Sequence, residues 1–303
     1  MARIIIVGAG VIGLSCAVRL LEEGHRVDIL ARDLPLETTS AVAAALWYPY
    51  RAWPQEQVTA WAAASYRRFA DLAVADDAGV EAGVRLLPGT ELLSTTAADP
   101  WWRSAVPELE RVEPTRGFAD GWSFVAPVID MPVYLAWLRT RVESLGGTVT
   151  RDNLSHLPDG ADAVVNCSGL GARHLAADPS VLPVQGQVVV VEQFGLDRWW
   201  LDSAGPTYVV PRGSEVIIGG TDVEGEWSRT PSPETARSIL QRAERLVPEV
   251  AEARVLRHKV GLRPGRPAVR VERQGHVVHC YGLGGAGVTL SWGVADEVVS
   301  QLR

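Results

Sequence analysis

The chain contains few of the residues on which several protein classes depend. Of its 303 residues only three are cysteines, Cys16, Cys167 and Cys280, and these lie far apart in apolar sequence. This pattern favours reduced thiols in the core over a disulfide framework or a metal site. The six histidines show no ligand spacing with cysteines or carboxylates. We therefore expect no bound metal.

Positive charge is also in the minority. Lys and Arg together number 29 against 36 Asp and Glu, which gives a formal net charge of −7 at pH 7. This balance argues against nucleic acid or an anionic membrane surface as a partner, and no run is long and apolar enough to span a bilayer. Because the first residues lead directly into a strand pattern, we expect no secretory leader and a cytoplasmic location.

A glycine motif follows the first apolar run of the chain. Residues 4–7 are branched apolar residues typical of a buried parallel strand, and Gly8-Ala9-Gly10-Val11-Ile12-Gly13 comes directly after them. A helical pattern and a second strand pattern at residues 27–30 follow, and Asp33 lies about 20 residues beyond the last glycine. This order predicts a βαβ unit that binds a dinucleotide, with the pyrophosphate at the helix N-terminus.

The end of the second strand leaves the identity of the dinucleotide open. Asp33 is suited to accept hydrogen bonds from a ribose 2′-hydroxyl, as FAD or NAD requires, whereas Arg32 is suited to pair with the 2′-phosphate of NADP. The alternative for Arg32 is a solvated surface charge. The motif alone therefore does not choose between flavin and nicotinamide.

A second glycine loop lies near the C-terminus. Gly282, Gly284, Gly285 and Gly287 follow a short apolar strand and precede apolar positions with helical spacing. Without side chains, this loop lets a flat ligand lie against main-chain N–H and C=O groups, and the helix N-terminus would favour a partly anionic ligand. The alternative is a strand-to-helix turn that holds no ligand.

Two kinds of pattern alternate along the chain. Buried-strand and helix patterns near both ends and in the middle are typical of a nucleotide-binding α/β domain, whereas residues 188–218 contain short strands separated by turns. The predicted fold class is α/β, with a Rossmann-like nucleotide-binding domain and an inserted antiparallel-sheet substrate domain. The predicted domains are 1–50, 128–185 and 262–303 for nucleotide binding, and 51–127 and 186–261 for the substrate.

Five separated segments of the chain resemble the D-amino-acid oxidase family. The family signature is matched from residue 277 to residue 287, except that Cys280 stands where asparagine, histidine or alanine is usual. The other four segments follow the family order, with Ala45 at a position where glycine is common. They cover residues 38–47, 165–169, 206–211 and 261–267.

The resemblance implies an enzyme with FAD as its cofactor. It would carry out oxidative deamination of D-amino acids by hydride transfer to the flavin, giving a 2-oxo acid, ammonia and hydrogen peroxide. Neutral side chains are favoured, because residues 219–223 lack the basic residue of relatives that oxidise acidic D-amino acids. A glycine- or sarcosine-type flavin amine oxidase and an NADP-dependent reductase stay open. The expected partners are a small-molecule D-amino acid and O₂, with a homodimer as the assembly if the protein is oligomeric.

The resemblance also assigns roles to individual residues. Arg263 would bind the substrate α-carboxylate, with Arg266 and Arg270 as alternatives, Tyr208 would donate its phenol to the same carboxylate, and the Gly285 carbonyl would accept from the amine. The family's second pocket tyrosine falls on Ala204, and Arg51 and Arg212 are further candidates for the pocket. The residues expected to bind the cofactor are Gly8, Gly10, Val11, Ile12, Gly13, Arg32, Asp33, Thr38, Thr39, Ala44, Ala45, Leu46, Val164, Ser168, Gly169, Gly282, Gly284, Gly285, Gly287, Val288 and Thr289.

Overall fold

The strands of the chain form two sheets in the computed structural model, which describes residues 1–75, 81–113, 115 and 117–303. The strands in chain order are β1 (Arg3–Val7), β2 (Arg26–Ala31), β3 (Val84–Leu93), β4 (Glu110–Arg111), β5 (Asp120–Ile129), β6 (Thr148–Arg151), β7 (Ala163–Asn166), β8 (Leu182–Glu192), β9 (Trp199–Asp202), β10 (Thr207–Arg212), β11 (Glu215–Gly219), β12 (Val223–Glu224), β13 (Val255–Gly265), β14 (Arg270–Gln274) and β15 (Val277–Tyr281). The α-helices are α1 (Val11–Glu22), α2 (Gln55–Val74), α3 (Met131–Ser144), α4 (Ala172–Leu175), α5 (Pro233–Glu244) and α6 (Gly287–Leu302).

The first sheet is the predicted parallel one. Its strand order is β14-β15-β7-β1-β2-β6, and all neighbours are parallel except β14 and β15. The side chains of residues 4–7 in β1 are buried because helices and loops cover both faces of the sheet. Helix α1 begins directly after Gly10 and packs against α3 and α6. The predicted strand–glycine loop–helix unit is therefore present.

The second sheet has nine strands and is mostly antiparallel, with one parallel pair, β3 and β9. Strand β8 is paired along both of its edges, with β13 on one side and with β11 and β12 on the other. Strands β5, β8 and β13 continue through the boundaries predicted after residues 127, 185 and 261. Any division there would cut a strand, so the exact limits of the two domains stay a prediction.

The two sheets meet at the carboxyl ends of β1, β7 and β15, where open α/β sheets commonly bind ligands. The Gly8 loop and the Gly282 loop both lie at this edge. Among the described residues, no helix combines the length and the apolar composition needed to cross a membrane.

Candidate active site

A cavity of about 610 Å³ lies between the two sheets. One end is formed by the loops that follow β1, β7 and β15, and the other end by side chains of the second sheet. Tyr208 of β10 and Arg263 of β13 lie in that second wall. The cavity thus joins the predicted dinucleotide loops to the predicted substrate-binding residues.

The loop after β1 has the close packing that a dinucleotide requires. Gly8 has φ +112°, and a Cβ there would lie 2.5 Å from the Cys167 carbonyl oxygen. A Cβ on Gly13 would overlap the carbonyl oxygen of Gly8, so these glycines hold helix α1 against strand β1. The Val11 N–H, at the first turn of the helix, donates to Ser40 Oγ at 3.1 Å. Because Gly8, Gly10 and Val11 line the cavity, the N-terminus of this helix is placed to hold a pyrophosphate.

Arg32 and Asp33 both line the cavity, and they pair with each other. Arg32 Nη2 lies 2.6 Å from Asp33 Oδ2, and this hydrogen bond is the main cause that holds the pKa of Asp33 below its usual value. An arginine already bound to a carboxylate is poorly placed to hold a 2′-phosphate, whereas the ionised Asp33 can accept from a ribose hydroxyl. This pairing argues against NADP.

Arg263 stands out among the three candidate anchors for a carboxylate. Its Nη1 donates to the Thr221 carbonyl oxygen at 2.9 Å, and no carboxylate of the described residues forms an ion pair with it. A Cβ on Gly186 would overlap the guanidinium, so that glycine provides the space in which the Arg263 side chain lies. Arg263 therefore presents a charged fork to the cavity without a partner of opposite charge.

The two alternative arginines are already paired. Arg266 Nε donates to Asp178 Oδ2 at 2.9 Å, and Arg270 Nη2 lies 2.6 Å from Glu272 Oε1. Neither arginine lines this cavity. Asp178 lies in the loop before β8, and Glu272 lies two residues from Arg270 in β14, so the two arginines have structural roles.

Tyr208 lies beside Arg263 in a space that a second glycine provides. It pairs with Gly219 across β10 and β11, and a Cβ on Gly219 would overlap the Tyr208 ring. Burial raises the pKa of Tyr208, and the charge of Arg263 acts in the opposite direction. The phenol is therefore protonated at neutral pH and can donate a hydrogen bond.

Most of the predicted cofactor residues line the cavity. These are Gly8, Gly10, Val11, Ile12, Arg32, Asp33, Thr38, Thr39, Ser168, Gly169, Gly282, Gly284, Gly285, Gly287 and Val288. The remaining six, which are Gly13, Ala44, Ala45, Leu46, Val164 and Thr289, do not line it.

Three of these six residues have structural contacts of their own. Ala45 has φ +57°, a left-handed conformation that favours glycine, and its carbonyl accepts from the Ile129 N–H at 3.0 Å. Thr289 Oγ1 is hydrogen-bonded to both the N–H and the carbonyl of Tyr48, each at 3.0 Å. Val164 is fully buried within β7.

The two arginines considered for the substrate pocket do not line this cavity either. Arg51 pairs with Asp222 at 2.8 Å and with Glu224 at 3.0 Å. Arg212 is buried, and its Nη1 donates to the Ala43 carbonyl oxygen at 3.1 Å. Sequence patterns gave no sign of these partners, which are distant along the chain.

Several lining residues were missed by sequence reasoning. Trp227 and Arg229 follow β12, and residues 152–154 follow β6. Each lies just beyond a strand, the position from which a loop reaches the edge of a sheet. The sequence shows which residues follow a strand, but it does not show which of the loops there face the ligand.

The three cysteines lie together although they are far apart in the sequence. All three are free and buried, and their Sγ atoms lie within 4.8 Å of one another. Cys16 comes from α1, while Cys167 and Cys280 follow or end neighbouring parallel strands and line the cavity. Burial was predicted, whereas their proximity depends on strand order and could not be read from spacing.

His279 precedes the second glycine loop but does not line the cavity. Its Nδ1 lies 3.3 Å from Asn166 Nδ2, and the side chain is only 5% exposed. Burial, together with the nearby charge of Arg270, lowers the pKa of His279 to about 4. The imidazole is therefore neutral at pH 7 and belongs to the core.

This lowered pKa predicts how stability changes with pH. In the unfolded chain a histidine has a pKa of about 6.5, so between about pH 6.5 and pH 4 only the unfolded state gains the proton. The free energy of unfolding should therefore fall by roughly 3 kcal/mol across this window because of His279, and no further below it. We expect His279→Asn to lack this part of the fall when urea unfolding is measured at pH 7 and pH 4.5. The exposed His156 provides the control variant, and parallel curves for wild type and His279→Asn would contradict the prediction.

Comparison with known proteins agrees with this geometry. The sequence model of the DAO family, described as FAD dependent oxidoreductase, matches residues 3–301. The chain belongs to this family. Its cofactor is FAD, and the glycine cradle at Gly8 and the paired Asp33 fit the pyrophosphate and ribose of that cofactor.

Two curated members of the DAO family are similar over nearly the whole chain. A D-amino-acid oxidase of Rubrobacter xylanophilus is 49% identical over 99% of this chain and 95% of its own length. A D-amino-acid oxidase of Streptomyces coelicolor is 43% identical over 97% of this chain and 95% of its own length. A solved glycine oxidase from Geobacillus kaustophilus, 22% identical, covers 100% of this chain and 95% of that one with a TM-score of 0.82, which shows a shared fold.

Proposed function

We propose that this protein oxidises D-amino acids to 2-oxo acids and ammonia. The observation that carries the proposal is the unpaired guanidinium of Arg263, which lies beside Tyr208 in the wall of the cavity that also contains the dinucleotide loops. Similarity to two named D-amino-acid oxidases at 49% and 43% identity supports it.

The residues of the cavity act by binding and orientation. Arg263 holds the α-carboxylate with two parallel charge-assisted hydrogen bonds, and Tyr208 adds a third donor. Gly285, which lines the cavity, offers its carbonyl to the amine in a contact that a side chain would obstruct. Bound FAD supplies the acceptor for the hydride that leaves the α-carbon.

Charge around the cavity favours substrates with neutral side chains. Residues 219–223 contain no basic residue that could hold a second carboxylate. Arg51, the nearest alternative cation in the sequence pattern, is paired with both Asp222 and Glu224. A D-aspartate side chain would therefore lose solvation without gaining a free positive charge from residues 219–223 or from Arg51.

O₂ as the final electron acceptor is part of the same proposal, and a homodimer is the proposed assembly if the protein is oligomeric.

The test of the proposed function is reduction of the enzyme-bound flavin without oxygen, followed by a peroxide assay in air. We expect D-alanine to reduce the flavin and to yield peroxide, with little or no reduction by L-alanine, glycine, sarcosine or D-aspartate. Preference for glycine would support the glycine-oxidase alternative, and no reduction by any of these would overturn the proposal.

The reaction should need no side chain as a general base. Tyr208 lies beside Arg263, but its phenol is protonated at neutral pH and cannot accept a proton. His279 does not line the cavity. We expect Tyr208→Phe to keep about a tenth or more of the rate of flavin reduction at saturating D-alanine in stopped-flow experiments, because it loses one hydrogen bond and no proton acceptor. A folded, FAD-loaded variant whose reduction rate drops by several orders of magnitude would show that Tyr208 transfers a proton.

A further inference from the structure

A group of four hydrogen-bonded side chains lies next to Arg263. Tyr50 Oη donates to Asp222 Oδ2 at 2.7 Å, and Arg51 Nη1 donates to the same oxygen at 2.8 Å. Arg51 Nη2 also donates to Glu224 Oε2 at 3.0 Å. The group connects the segment before α2 with Asp222, between β11 and β12, and with Glu224 in β12. None of its members contacts the substrate in the function proposed above.

Tyr50 lies beside Gly285, which lines the cavity together with Arg263, although Tyr50 itself is not one of the lining residues. A Cβ placed on Gly285 would lie 2.5 Å from Tyr50 Cδ1, so the Tyr50 ring covers the glycine that lines the cavity. Asp222, which accepts the Tyr50 hydrogen bond, follows Thr221, whose carbonyl accepts from Arg263 at 2.9 Å. A second cavity of about 210 Å³ is lined by Arg51 and shares Arg263 and Gly285 with the first.

The charge of Arg263 also reaches the Tyr50 phenol. Burial and the hydrogen bond to Asp222 raise the pKa of Tyr50 to about 12, whereas the charges of Arg263 and Arg51 act in the opposite direction. Tyr50 is therefore protonated at neutral pH, and its hydroxyl has one hydrogen to donate.

We propose that Tyr50 is a second phenol that donates a hydrogen bond to the substrate carboxylate. A carboxylate held by the Arg263 fork has lone pairs on the outer side of each oxygen, and Tyr208 can meet one of them. Tyr50 lies by the glycine that lines the same space and is the donor for the other. The inference rests on the proposed function, because it requires a carboxylate at Arg263.

For this role the Tyr50 hydroxyl has to leave Asp222 and donate to the substrate. The ion pair between Asp222 and Arg51 keeps the free-energy cost of that change small. Without substrate, the Tyr50 hydroxyl donates to Asp222. When the hydroxyl turns to the substrate, Asp222 keeps its ion pair with Arg51, so the half-buried carboxylate still has a partner. Tyr50 thus exchanges one carboxylate acceptor for another.

The test compares substrates with and without the carboxylate charge. Steady-state kinetics are measured with D-alanine and with D-alaninamide for wild type, Tyr50→Phe and Arg263→Leu. Tyr66→Phe is the matched control, because its phenol donates to the Val125 carbonyl and its ring packs in the core away from the cavity. We expect Tyr50→Phe to lower kcat/KM for D-alanine about tenfold, mainly through KM, and to change D-alaninamide much less.

A binding measurement gives a readout that does not depend on turnover. Pyruvate, the product from D-alanine, carries the same carboxylate, and its Kd can be measured from the change in tryptophan fluorescence. We expect the Kd to rise about tenfold in Tyr50→Phe and to stay unchanged in Tyr66→Phe. If Tyr50→Phe does not retain FAD, Tyr50→Leu is measured in the same way.

The outcomes separate this inference from the proposed function. Equal losses for D-alanine and D-alaninamide, or unchanged values for both, together with an unchanged Kd for pyruvate, would overturn the role of Tyr50 while wild type still oxidises D-alanine. Wild-type protein that is inactive with D-alanine, and no different from Arg263→Leu, would instead overturn the proposed function itself.

Discussion

Replacing Arg263 with leucine should lower kcat/KM for D-alanine by about a hundredfold or more. The variant loses a bidentate, charge-assisted contact with the α-carboxylate, and that contact fixes the rotation of the Cα–H bond. Since Arg263 has no ion-pair partner among the residues the structure describes, its removal leaves no carboxylate unpaired. We therefore expect normal folding and full FAD content, measured as flavin absorbance per protein after gel filtration.

The control for this variant is Arg254→Leu. Arg254 pairs with Glu192 at 2.9 Å on the exposed edge of the second sheet, so its loss removes an arginine and an ion pair without touching the cavity. Near-normal activity in Arg263→Leu would move the carboxylate anchor to Arg266 or Arg270. Each of those would then have to leave the acidic partner that it holds in the structure.

The second large effect should be loss of the cofactor from Gly8→Ala. The φ of +112° at Gly8 is strained for any L-residue, and the added Cβ would lie 2.5 Å from the Cys167 carbonyl oxygen. Because this carbonyl belongs to the backbone after β7, relief requires a shift of the loop that would hold the pyrophosphate. We expect the fraction of protein that retains FAD through gel filtration to fall by about tenfold or more.

Gly205→Ala is the matched control for this loss. A Cβ at Gly205 meets nothing within 4 Å, and the residue lies in the turn between β9 and β10. That variant should retain FAD as wild type does. If Gly8→Ala also retains FAD as wild type does, the loop can shift to accept the added Cβ, and FAD binding does not depend on the close packing at Gly8.

The parts of the fold that depend on local sequence were predicted well. The unit β1–α1–β2 and the second glycine loop are each specified within a few tens of residues, and both lie where the motifs placed them. The family, the α/β fold class and FAD as the cofactor are confirmed. The strand order of the second sheet was not predicted. Strand β3 pairs with β9 across roughly a hundred residues of intervening chain, and the sequence of a strand does not say which distant strand it pairs with.

The site residues that sequence reasoning could not resolve are those defined by distant partners. Arg263, Arg266 and Arg270 look alike in the sequence, and only Asp178, far upstream, distinguishes Arg266 as a structural residue. Tyr50 was missed for the same reason, since its acceptor Asp222 is 172 positions away. The assignments of Arg263, Tyr208 and Gly285 to the substrate stay predictions until the variants are measured.

The position of Arg263 in the substrate site depends on the register between β8 and β13. Arg263 lies opposite Val184, and two residues further along β8 the missing side chain of Gly186 makes room for the guanidinium. Successive side chains of a strand point to opposite faces, so a slip of one residue would turn Arg263 away from the cavity and bring a neighbour into its place. A deletion of a single residue within β13 is therefore a more severe lesion than many substitutions in the cavity wall. Length changes in the turn after β9, which carries no part of this alignment, leave the geometry of the anchor intact.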